Sequence, residues 1–218
     1  MERITITSFA HFFEQIEKND YTQTIYRGEP ENSTPLIPKL GRLSAEKKRH
    51  VLTLEKKLFE AFKVRAERYL TFQPATKIEW LALAQHFGLP TRLLDWTESP
   101  LVAAFFATRK NCDGYVYSTV SVKELKDAVV DPFAITEPSV MRVPARFDRI
   151  QHQLGLFTID SSPLTAFSYG RMRQIKIPVN LRLMFLDILC KSGVTDESLL
   201  PGLEGLARYV SLSRGYED

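Results

Sequence analysis

The sequence predicts one α+β domain, a mixed central sheet flanked by helices. Three observations carry that expectation. Apolar residues recur at helical spacing in several segments, and runs of β-branched and aromatic residues fall between them at uneven intervals. No repeat, low-complexity tract or interdomain linker interrupts the 218 residues, a length that one core can serve, so residues 1–218 are expected to be a single domain.

Residues 8–18 place Phe12, Phe13 and Ile16 on one helical face. Thr24-Ile25-Tyr26 has strand chemistry and is expected to stop at Gly28, and residues 29–38 form a proline-held loop. Ser44 is placed to cap a long helix over 44–70, with Val51, Leu54, Leu58 and Phe62 as its buried stripe. A second helix starts near residue 76, buries Trp80, Leu83 and Ala84, and ends at Gly88-Leu89-Pro90. Residues 91–96 read as a strand. Ser99-Pro100 opens the next helix, whose apolar run 101–107 must be buried. Residues 114–120, 156–159 and 173–179 supply further strands. The last third is helical over 181–191, 196–200 and 201–208.

Composition excludes several classes. The chain is 44% hydrophobic and 25% charged, which argues against disorder. The opening Met1-Glu2-Arg3-Ile4-Thr5 shows no apolar h-region behind a basic start, and no apolar run approaches the roughly 20 residues that a membrane span needs. A cytoplasmic protein with no membrane partner is the expectation. Cys112 and Cys190 share no ligand or redox spacing, and Cys190 reads as a small core residue. The net charge is only +3, yet residues 39–68 hold ten Lys and Arg against four acids. That segment reads either as a solvated helix face or as a landing strip for phosphate.

The densest polar cluster is residues 85–97, where Gln85, His86, Arg92, Asp95 and Thr97 interleave with core-facing apolar residues. Burying Arg92 and Asp95 without partners would cost several kcal/mol, so each is expected to pair with the other or with a neighbouring group. The cluster then serves as a scaffold lock or as a rigid pocket wall. His11, His50, His86 and His152 have no metal-ligand spacing, so no metal site is expected. Walker A, G-x-S-x-G and G-x-G-x-x-G motifs are all absent, which disfavours P-loop, hydrolase and Rossmann chemistry. A metal nuclease site of Asp95, Glu98 and Asp148 has no fixed separation to support it.

Tyr26-Arg27-Gly28, LIPKLGR (36–42) and LAQHFGLPTRLLDWTESPLVAAFFA (83–107) resemble the bacterial FRG-domain family. Arg149-Ile150, Gln153, Gly155 and Phe157 resemble its later segment, and Pro201-Gly202-Leu203-Glu204-Gly205 its closing motif. The order of elements is more distantly similar to ADP-ribosyltransferases. That similarity implies NAD or a related nucleotide as ligand, ADP-ribosyl transfer or NAD glycohydrolysis as activity, and a role as toxin or phage-defence effector. On this similarity Arg27 clamps phosphate beside Tyr26 and Gly28, Asp95 and Thr97 line the ribose or nicotinamide side, and His86 with Arg92 orders the pocket. Gln153 stands where the transferases carry a glutamate, and a neutral amide cannot stabilise an oxocarbenium-like transition state by charge. Asp95 or Glu204 is a substitute source of that charge. Arg27, His86, Asp95 and Gln153 are therefore expected to line one pocket. The rival expectation is a non-catalytic module that recognises nucleic acid or a protein partner through the basic helix 44–70.

Overall fold

A computed structural model of the chain describes residues 1–18, 24–31, 36–120, 122–125, 130–144 and 148–214. Among them, eight strands form one mixed sheet: β1 Glu2–Thr5, β2 Ile25–Glu29, β3 Leu94–Thr97, β4 Gly114–Thr119, β5 Lys123–Glu124, β6 Ser139–Met141, β7 Gly155–Ile159 and β8 Arg173–Ile177. Their order is β1-β8-β4-β2-β3-β7-β6-β5, antiparallel except for the edge pairs β1–β8 and β5–β6. The helices are α1 Phe9–Glu17, α2 Ala45–Lys48, α3 Val51–Ala66, α4 Lys77–His86, α5 Pro100–Ala107, α6 Asp148–His152, α7 Arg182–Lys191, α8 Asp196–Leu199 and α9 Leu203–Ser213. The architecture is α+β.

Local chemistry explains the clearest helix starts. The Ser8, Thr76 and Ser99 hydroxyls accept from the N–H groups of His11, Glu79 and Val102, and Pro100 takes the first position of α5. At the end of α4, Gly88 adopts φ 89°.

Register shows which residues share a face. Tyr26 lies opposite Thr97, and Asp95 opposite Phe157. Cross-strand partners and alternate residues along a strand point the same way, so these four face together. On that face Tyr26, Val116 and Ile175 pack with residues of α1, α5 and α7, while Met141, Phe157 and Ile159 pack with residues of α3 and α4. The opposite face buries Ile25, Trp96, Tyr117 and Leu156. There burial pushes the Tyr117 phenol up to about 12, partly offset by the Gln174 amide that donates to its oxygen.

Several expectations give way to tertiary contacts. The helix expected over 44–70 is two helices, α2 and α3, parted at Arg49-His50. Its buried row falls on Val51, Glu55, Phe59 and Ala66, with Leu54, Leu58 and Phe62 only half-buried. A hydrophobic stripe could not anticipate Glu55, which is buried because Arg92 neutralises it. Strand β2 runs through Gly28, where a Cβ would stand 1.8 Å from the Ala103 carbonyl oxygen. The glycine thus admits the α5 backbone onto the sheet. Strand β3 begins at Leu94, after Thr91 and Arg92. Cys190 is exposed on α7 rather than in the core. Strands β1, β5 and β6 were not anticipated; they are short elements, β1 and β5 at the two edges and β6 next to β5, made by pairing rather than by pattern. Residues 32–35 of the expected proline loop lie outside the described residues.

Candidate functional site

The two helical groups on one sheet face leave a cleft between α4 and α5, floored by β2, β3 and β7. A cavity of about 660 Å³ opens there. Val102 and Phe106 of α5 form one wall, and Ala82, Gln85 and His86 of α4 the other. Arg27, His86, Asp95 and Gln153 all line it, although they are scattered over 127 residues of chain, from position 27 to position 153. Tyr26, Gly28 and Thr97 line it too.

Arg27 reaches the cavity through a gap in the sheet. Only one register pair, Tyr26 with Thr97, joins β2 to β3, after which the strands part. The Arg27 guanidinium spans the gap: Nη1 donates to the Asp95 carbonyl at 2.6 Å and Nε to Glu29 Oε1 at 2.9 Å. The same Glu29 oxygen accepts from Arg42 Nη2 at 3.4 Å, so one buried carboxylate holds two cavity arginines. Lys39, which donates to the Gly88 carbonyl at 2.8 Å, also lines the cavity. Among the described residues, the lining therefore carries Arg27, Lys39 and Arg42 against a single carboxylate, Asp95. The Asp95 side chain is 64% exposed, accepts from Gln85 Nε2 at 2.7 Å and lies 3.7 Å from Arg27 Nη1. Thr91 Oγ1 donates to the side-chain oxygen Oε1 of Gln85, which fixes that amide.

Two polar residues of the lining are committed to backbone. Thr97 Oγ1 donates to the Gln153 carbonyl at 2.7 Å and accepts from the Ser99 N–H, fastening β3, α5 and the end of α6. Gln153 Nε2 donates to the Leu199 carbonyl at 3.0 Å, tying the cavity wall to α8. His86 is exposed at the rim, its ring edge-on to Phe87.

Residues 22–115 match the family model described as the FRG domain. The chain carries an FRG domain. No curated protein and no solved structure matches the chain. The FRG domain's matched stretch contains every described residue of the cavity lining except Ile150 of α6, Gln153 just after it and Phe157 of β7, which lie beyond it.

Not every candidate residue joins the cavity. Arg92 is absent from the lining: its guanidinium is buried against Glu55, with Nε–Oε1 2.8 Å and Nη2–Oε2 2.6 Å, and also donates to the Pro132 carbonyl. Of the two pairings expected for Arg92, with Asp95 or with a neighbouring group, the second is formed: a core ion pair with Glu55 joins α3 to the start of β3, so Arg92 does not line the cavity with His86. Glu204 is also absent from the lining; it pairs with Arg208 one turn along α9. Among the described residues, no His, Cys, Asp and Glu group is placed to hold a metal ion. Sequence reasoning missed Glu29, Lys39 and Arg42 as site residues of the FRG domain. The signal for Glu29 was its spacing: residues two apart on a strand share a face, so Arg27 and Glu29 were placed to pair.

Proposed function

We propose that the cavity of the FRG domain binds NAD or a related nucleotide in an ADP-ribosyltransferase-like manner. The observation that supports this is the lining itself. Three cationic side chains, Arg27, Lys39 and Arg42, share a nucleotide-sized cavity with the aromatic residues Tyr26, Phe106 and Phe157. Guanidinium groups suit a pyrophosphate because their planar forks donate in pairs, and apolar rings suit a base.

Transfer would break the bond between nicotinamide and ribose, nicotinamide leaving with the bonding pair. Water or another nucleophile would add to the ribose carbon and release its proton. Among the described residues of this lining, Asp95 is the carboxylate available to a developing ribosyl cation, because Gln153 is neutral and its amide is bound to the Leu199 carbonyl. An activity that consumes NAD in this way would suit a toxin or phage-defence effector.

Calorimetric titration with NAD and with ADP-ribose tests binding, and chromatography for released nicotinamide tests turnover. Arg27→Lys retains the charge but loses the fork, and should weaken binding about ten- to a hundredfold, the worth of one or two charge-assisted hydrogen bonds. Asp95→Asn should abolish turnover with less effect on binding. Absence of heat with both ligands at millimolar concentration would sink the reading.

A further inference from the structure

Residues 39–68 carry ten Lys and Arg against four acids, and the fold makes that imbalance greater at the surface. Glu55 is withdrawn into the core, its side chain 2% exposed and neutralised by Arg92. The acids left on the surface are Glu46, Glu60 and Glu67. Lys47, Arg49, Lys56, Lys57 and Arg65 are exposed and form no ion pair with a described residue. The segment starts at the cavity, which Lys39 and Arg42 line, and continues through α2 and along the 16 residues of α3, about 24 Å at 1.5 Å per residue. It ends on Tyr69, 72% exposed, with the Arg68 guanidinium 4.7 Å over its ring. A shallow depression lined by Val64, Arg65, Glu67 and Arg68 lies beside that end.

We propose that this surface holds a single-stranded nucleic acid, its phosphates against the lysines and arginines and a base stacked on Tyr69. A flat exposed ring next to unpaired cations is what an unpaired base and its backbone require, and a duplex keeps its base faces covered. A lipid surface fits less well. An interfacial helix must insert its apolar side, and the apolar side of α3 is already packed into the core around Phe59. The proposal stands apart from the nucleotide reading of the cavity, since none of the α3 cations lines it.

The test is fluorescence anisotropy of the full chain with a labelled twenty-nucleotide single strand, DNA and RNA, across 25–200 mM salt. Binding should weaken steeply with salt. The triple variant Lys56→Gln, Lys57→Gln, Arg65→Gln should bind at least tenfold more weakly at low salt, and its slope in log–log form should shrink by about 2, near 0.7 per lost phosphate contact. Tyr69→Ala should weaken binding by about fivefold or more with the slope unchanged. The melting temperatures of these surface variants and their heats of NAD titration should match the parent, which separates this proposal from the cavity reading. Failure to bind the single strand at 25 mM salt would overturn the proposal. So would binding that the triple variant leaves untouched, stronger capture of duplex of equal length, or binding only to acidic polypeptide or phosphatidylserine vesicles.

Discussion

Arg27 and Arg92 both stand in polar surroundings in the sequence, and their partners give them opposite roles. Arg92 meets a carboxylate of α3 in the core, with both its own side chain and that of Glu55 2% exposed. Arg27 meets Glu29 and a carbonyl in a gap between strands, and keeps 15% of its side chain exposed to the cavity. A residue's neighbours in space, not its type, set whether it locks or binds. Gln153 makes the same point. Its amide donates to the Leu199 carbonyl, so Gln153→Glu would face a carboxylate with a carbonyl oxygen. We expect that variant to lose about 1–3 kcal/mol of stability and to gain no NAD turnover. Chemical denaturation with a nicotinamide-release assay checks both; a rise in turnover would show that the side chain turns into the cavity and acts there.

At the scale of elements, the Glu55–Arg92 pair fastens α3 to the start of β3. Removing one partner leaves an uncompensated buried charge, so Glu55→Ala should cost about 3–5 kcal/mol in denaturant unfolding. Glu55→Leu combined with Arg92→Met should recover much of that loss, since two apolar groups leave no charge behind. A second fastening titrates. Lys176 of β8 donates to Asp113, and the Val179 N–H does so as well, holding that carboxyl below its ordinary 3.8. A depressed folded value means the stabilisation is present above the unfolded value and is lost as pH falls through the folded one. The melting-temperature difference between the parent and Asp113→Asn should therefore be constant above about pH 5 and vanish at the acid end, below 3.8.

Across the whole molecule, one sheet carries two helical groups, and the cavity is the seam between them. A ligand held there touches both groups and binds only when they are assembled. Nucleotide at a hundredfold excess over its dissociation constant should therefore add about 2.7 kcal/mol of stability. For a chain of this size that corresponds to a rise in melting temperature of roughly 5–11 °C, readable by scanning calorimetry. An unchanged transition at millimolar NAD would mean that no nucleotide occupies the seam.

The sequence by itself determined the α+β class, the capped starts of α1, α4 and α5, and the polar cluster at residues 85–97, but not Lys39 and Arg42 of the cavity lining. These signals are local: a serine or threonine cap, a proline at the first helical position, an apolar run too long to expose. Tertiary structure decided where those residues went. Only folding could withdraw Glu55 and Arg92 into the core, bring Gln153 to Leu199, and turn the spacing of Arg27 and Glu29 into a bridge between parted strands. Each of these pairings except the last joins residues more than 30 positions apart, and burial of a charge depends on a partner that no window of sequence contains.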